Sequence, residues 1–201
     1  MLLGSGFQRL AQSGVYIKAL ACYTDAWVEW KKAVFIAKDP KIEPLAFRNA
    51  MSHFAEAVHV VTTDGPAGRR GVTISAVCSV SDNPATMLVC LNREHESNHI
   101  FIENKVFALN TLSFGHMALS EAFSGKGSLS QADRFALGEW QTLQTGAPVL
   151  ADALASFDCR IIETHEVATH YVVYGRVTAL KGGGDGQSLI YLDRSYHHVG
   201  G

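Results

Sequence analysis

Neither G-x-G-x-x-G nor G-x-x-x-x-G-K-[ST] occurs in the chain, and its four cysteines form no C-x-x-C pair. These absences remove the usual dinucleotide fingerprint, the phosphate-binding P-loop and the paired-cysteine zinc or dithiol redox motifs. No apolar run approaches the ~20 residues that a membrane helix needs, so a membrane-spanning protein is not expected. An excess of one charge is lacking too: 17 Lys and Arg face 19 Asp and Glu, for a formal net charge of -2. A chain so balanced lacks the electrostatic footprint of a nucleic-acid binder. The start, MLLGSGFQRLAQSG, has no basic segment leading into an apolar core. No secretory signal is read there, and a cytoplasmic location is expected.

What is present is ordinary globular material. The chain has 201 residues, of which 47% are apolar and 18% charged, enough for one domain with a sizeable core. Cys78, Cys90 and Cys159 sit in apolar, strand-like runs and Cys22 lies upstream, a usage that leads us to expect reduced, buried thiols in a cytosolic protein. Residues 1–43 differ in texture from the rest and read as an extension. Within them a helix is expected from Asp25 to Lys38, stopped by Asp39-Pro40. The main domain is expected over residues 44–201. A helix is predicted from Pro44 to Phe54. Short strands follow at Ala57 to Thr63, Arg70 to Ser81, Thr86 to Asn92 and Val106 to Leu112, then at Phe157 to His165, Thr169 to Leu180 and Leu189 to Leu192. Helical segments are read at Ser97 to Asn104 and Ser113 to Phe123, with Ser130 as a helix cap. Many short strands and few helices predict a mainly β fold, a barrel with helices packed outside it.

Three segments are candidates for chemistry. In Arg70 to Ser81, alternation places Val72, Ile74, Ala76, Cys78 and Val80 on one face and Thr73, Ser75, Ser79 and Ser81 on the other. A row of hydroxyls is either a solvated edge or a surface for a ligand rich in polar atoms. At Asn92-Arg93, a strand gives way to a helix start near Ser97, a place where backbone N–H groups and Arg93 suit an anion. His95 and His99 are four apart, but no third ligand is evident and no metal is expected. Around Thr169-His170, a strand places His170, Val172, Tyr174 and Arg176 on one face, a possible wall for a planar ligand. His197 and His198 read as solvated surface.

The order and spacing of several stretches resemble the short flavin reductases that serve two-component flavin monooxygenases. The stretches are Phe47-Arg48-Asn49-Ala50-Met51, Val60-Val61-Thr62-Thr63, Gly71 to Ser81, Val89-Cys90-Leu91-Asn92, Ala108 to Leu112, Ala122-Phe123-Ser124-Gly125, Asp133-Arg134-Phe135, Pro148-Val149-Leu150 and Thr169-His170. The resemblance implies a split β-barrel, a homodimer, bound FMN or FAD, and hydride transfer from NADH or NADPH to the flavin. It implies that Thr73, Ser75, Ala76, Val77 and Ser79 hold the ring and ribityl chain, with Phe123 in the same site. Asn92, Arg93 and Ser97 are implied near the phosphate, and His170 beside flavin and nicotinamide. Relatives often carry glycine where Ala168 stands. The implied partner is a monooxygenase component. A corrin reductase acting on a corrinoid substrate, from Co(II) to Co(I), and a flavin-binding domain without turnover stand as alternatives.

Overall fold

The computed structural model describes residues 42–200. The chain divides into two units, Met1–Ala50 and Met51–Gly201. The expected helix Asp25 to Lys38, Cys22 and nearly all of the extension 1–43 lie outside the described residues. Helix α1 (Pro44–Met51) starts on the proline, whose missing N–H costs nothing in a first helical turn, and is shorter than the sequence suggested.

Seven strands form one antiparallel sheet: β2 (His59–Thr63), β3 (Arg70–Ile74), β4 (Val77–Asp82), β5 (Ala85–Asn92), β6 (Val106–Thr111), β9 (Ala155–Val167) and β10 (His170–Gly182), in the order β3-β2-β6-β9-β10-β5-β4. The two edge strands, β3 and β4, are consecutive in sequence and separated only by Ser75 and Ala76. Laid flat, seven strands would put their outer members about 29 Å apart, at about 4.8 Å per step. The chain from Ile74 to Val77 spans at most about 11 Å. The sheet therefore rolls until its edges approach, although β3 and β4 do not pair and the ladder is not closed. The interior agrees with the rolling. Val61, Phe107, Leu109, Val89, Leu91, Cys159 and Val173 form one buried cluster with Val72, Ile74, Val77 and Met87 against it, so all seven strands contribute. Phe101 of α2 (His99–Asn104) enters the same cluster.

A second core lies on the outer side of β2 and β6. Val60, Leu112, Leu119, Phe123, Phe135, Leu150 and Leu189 join there beneath α3 (Met117–Phe123) and α4 (Gln131–Phe135). Two small sheets complete the unit: β7 (Trp140–Thr142) with β8 (Pro148–Leu150), and β1 (Glu56–Ala57) with β11 (Ser188–Leu192) and β12 (Ser195–Val199). Asn110 ties the layers. Its amide donates to Val60 O at 3.1 Å, and its carbonyl accepts from Leu150 N and Ser156 Oγ, both at 2.9 Å. Gly71 is required by close approach, because a Cβ there would run into the Phe123 ring.

Two expectations are corrected. The single strand Arg70 to Ser81 is two strands, and the crossing at Ser75-Ala76 changes the phase of the alternation. Val77 packs against the core in place of Ala76, while Cys78 and Val80 turn outward and are exposed. A second irregularity between Ser79 and Ser81 ends any continuous hydroxyl row. The cysteines also differ from one another. Cys159 is buried, and burial with the nearby Asp158 pushes its thiol up to about 12, whereas Cys78 on the edge strand is open to solvent.

Candidate functional site: a wedge between two sheet edges

The unpaired edges of the rolled sheet bound a wedge. Its apex is Ser75-Ala76, where Val77 N donates to Ser75 O at 2.9 Å and Cys90 N to Ala76 O at 3.0 Å. One wall is β3. Gly71 donates its N–H to Gln131 Oε1 at 2.9 Å, so the odd-numbered positions of β3 turn their N–H groups away from β2 and toward the opening. The other wall is the end of β5 and the loop from Arg93 to Asn98. Arg70 spans the mouth: its Nε donates to Asn98 Oδ1 at 3.2 Å, and its Nη2 stands 3.4 Å from the His95 ring nitrogens. Asn98 in turn donates to Asn92 O at 2.8 Å, which fixes the loop to β5.

Thr73 and Ser75 lie on the β3 wall and at the apex, with both hydroxyl protons committed. Thr73 donates to Ser120 O at 2.7 Å, and Ser75 donates to the Glu56 carboxylate. To a ligand they present lone pairs, which suits the hydroxyl and N–H donors of a polyol-bearing ring. Beside them is a cavity of about 240 Å³ lined by Val58, Thr73, Ile74, Ser75, Tyr191 and Tyr196, with Ser124 at its rim. Tyr196 is held by a 2.9 Å bond between its hydroxyl and Ser120 Oγ, and its ring packs edge-on against Tyr191 at 5.3 Å. Sequence reasoning misses both tyrosines. Their aromatic character within the last strands is the only available signal.

The β9–β10 hairpin brings His170 to the same region. His170 pairs with Asn92 across the ladder, and its Nδ1 lies 2.9 Å from the Thr169 hydroxyl. The hairpin is strapped to the loop by Arg93, whose N–H donates to Thr169 O at 3.0 Å, Nε to Ala168 O at 2.9 Å, and Nη1 to Glu166 at 2.5 Å. That guanidinium is thus committed to the hairpin, and its role here is to position the strand that carries His170. Ala168 at the tip has φ +49°, a conformation that favours glycine. Ala168→Gly should therefore raise stability by about 1 kcal/mol and the melting temperature by roughly 2–4 °C. Differential scanning calorimetry checks this, and an unchanged or lowered melting temperature would count against strain at the tip.

The structure thus gathers Thr73, Ser75, Ala76, Val77, Asn92, Arg93, Ser97 and His170 about one wedge. It does not bring two further residues there. Ser79 lies three residues along β4 from Ala76, roughly 10 Å away on an exposed edge. Phe123 is 1% exposed, its ring packed edge-on against Phe135 at 5.1 Å and Trp140 at 5.8 Å, so its work is in the core. The segment His95-Glu96-Ser97-Asn98-His99 has the H-E-x-x-H spacing of a zinc site. Its histidines sit in different local structures. His95 is extended (φ -82°, ψ 110°) and caps a three-residue 3₁₀ turn, while His99 opens α2 and faces Glu103 at 3.6 Å. Among the described residues no group of three metal-ligating side chains forms.

A polyol phosphate attached to a planar ring fits this donor set, with acceptors and a narrow cavity at the apex and a guanidinium at the mouth. Comparison with known proteins agrees. Residues 51–200 match the family described as "Flavin reductase like domain". The protein named FMN reductase (NADH) RutF from Ancylobacter novellus is 49% identical over 165 residues, 82% of this chain and 90% of that protein. A candidate flavin reductase from Haemophilus somnus superposes with a TM-score of 0.75 at 42% identity, over 79% of this chain and all of that one. The styrene monooxygenase flavin reductase from Pseudomonas putida superposes with a TM-score of 0.67 at 26% identity, over 77% of this chain and 97% of that one.

Proposed function

The chain belongs to the flavin reductase-like family, and from that premise we propose that it is an NADH-dependent FMN reductase that hands reduced flavin to a monooxygenase. The wedge is the observation that carries this reading. When bound, the flavin supplies the acceptor for a hydride from the nicotinamide. This chain's residues bind and orient. The apex backbone at Ala76-Val77, with Thr73 and Ser75, holds the ring and ribityl chain. Asn92 and Ser97 flank the phosphate. The Tyr191–Tyr196 cavity, too small for a whole dinucleotide, has room for one ring. His170, presented by the strapped hairpin, orients the nicotinamide. Relatives named as NADH-dependent FMN reductases favour this reading over a corrin reductase or a flavin-binding domain without turnover. We place the enzyme in the cytoplasm, where NADH is supplied. Among the described residues no helix is long and apolar enough to cross a membrane.

We also propose a homodimer. The outer face of β4, β5 and β10 carries Cys78, Val80, Leu88, Cys90 and Val172, with Val80 49% exposed. An apolar sheet face of this kind suits a second copy of the chain. Light scattering on the purified protein is expected to return twice the chain mass, and a monomer at all concentrations would remove this part of the reading.

Steady-state NADH oxidation tests the activity. Turnover should require added flavin and saturate with FMN, and absence of turnover with any flavin would overturn the proposal. Residues 1–43 are proposed to lie outside the flavin-binding unit. A chain beginning at residue 44 should bind FMN within about threefold of the full chain, a span of less than about 0.7 kcal/mol. Loss of FMN from a truncated protein with an intact circular dichroism spectrum would refute it.

A further inference from the structure

Arg70 is 4% exposed, and its guanidinium meets a neutral amide and an imidazole. No carboxylate among the described residues pairs with it, although carboxylates pair with Arg69 and Arg93 nearby. The charged group that acts on it is another cation. Arg134 on α4, half-buried, adds to the burial that lowers the Arg70 guanidinium to about 10. A guanidinium taken out of water without a counter-charge is an expensive arrangement, and it is normally met by an anion. Here it is also an organised one. Asn98 is 2% exposed and fixes Nε, so the remaining N–H groups of the fork keep a set direction.

The position matters as much as the charge. Arg70 opens β3, and Ser75 lies five residues along, roughly 16 Å at the strand rise. Apex and mouth are therefore separated by a distance that a ring with a ribityl chain and a terminal phosphate must bridge. Arg93, which the sequence alone suggests as the phosphate ligand, has its fork spent on Glu166 and the Ala168 carbonyl. Arg70, the other cation at the mouth, is one that no sequence motif singles out.

Resting on the flavin reductase reading, we propose that Arg70, held by Asn98 and His95, receives the phosphate monoester of FMN and makes this protein select FMN over riboflavin. A rigid fork meeting a dianion makes charge-assisted, bidentate hydrogen bonds. Riboflavin, identical but for the phosphate, leaves the same guanidinium buried without a counter-charge.

The test is equilibrium binding of FMN and riboflavin to the flavin-free protein, followed by quenching of flavin fluorescence, with no NADH present. The wild-type protein should bind FMN at least tenfold more tightly, and millimolar inorganic phosphate should compete with FMN but not with riboflavin. Arg70→Met should weaken FMN about 10- to 100-fold and leave riboflavin within threefold. Arg70→Lys, which keeps the charge without the fork, should fall between. Equal affinity of the wild type for the two flavins, or no competition by phosphate, would overturn the proposal even if both variants failed to fold, and would leave the reductase reading standing. So would a folded Arg70→Met that keeps its preference for FMN. A variant in which the KM for NADH rises while FMN affinity holds would assign Arg70 to the dinucleotide's pyrophosphate and overturn it as well. Failure of the wild type to bind either flavin would overturn the reductase reading itself.

Discussion

His170→Ala is expected to lower NADH oxidation with FMN by about 10- to 100-fold, while FMN affinity changes by less than about threefold. The expectation follows from where the residue sits. His170 heads β10, pairs with Asn92 at the end of β5, and has its ring steadied by the Thr169 hydroxyl. It is exposed, as a side chain must be if it meets a substrate that comes and goes. Hydride chemistry belongs to nicotinamide and flavin, so the residue is not required as an acid. Its contribution is to hold the nicotinamide in a reactive pose, and even a small misplacement of reacting groups slows a reaction disproportionately. Separate determination of kcat, the KM for NADH and the FMN dissociation constant checks this. Activity equal to wild type would remove His170 from the site, and loss of FMN binding alone would make it a flavin ligand instead.

Acidification should destabilise the fold through His59. This residue on β2 bonds the Thr111 hydroxyl through Nδ1 at 3.2 Å, and burial lowers its pKa to about 4. In the unfolded chain it titrates near 6.5. Between these values the unfolded state binds the proton and the folded state does not, so stability rises with pH across that window. The contribution is complete above pH 6.5 and is lost progressively as pH falls toward 4, amounting to about 3 kcal/mol there. Urea denaturation at a series of pH values measures it. His59→Asn keeps a hydrogen-bonding side chain without the titration, and its stability should fall less steeply between pH 6.5 and 4. Parallel pH profiles for variant and wild type would contradict the assignment.

Much of this architecture is legible in the sequence. The strands, their turn residues and the stretch from Gly71 to Ser81 lead to a flavin reductase-like split barrel, and the rolled seven-stranded sheet agrees. What stays hidden has physical causes. Ser75 and Ala76 are small and continue the strand texture, so alternation gives no sign that the chain crosses there from one sheet edge to the other. Once it does, Val77 replaces Ala76 against the core, and Ser79 travels away from the site. Phe123 lies in a stretch that resembles the family, but resemblance cannot separate a residue that lines a site from one that packs behind it. The edge-on packing against Phe135 and Trp140 can be seen only in three dimensions. The Arg70–Asn98 bond spans 28 residues and the Arg93–Glu166 bond 73. Such pairings decide which arginine faces a ligand, and local sequence carries no trace of them.

The central claim is that the wedge holds a flavin that NADH reduces. It is tested most directly by the anaerobic absorbance spectrum of the protein with FMN, recorded before and after NADH is added. Bleaching of the flavin band at a rate that scales with enzyme is the predicted result, with reduced flavin passing freely through gel filtration. An oxidised flavin spectrum that persists in excess NADH would contradict the account.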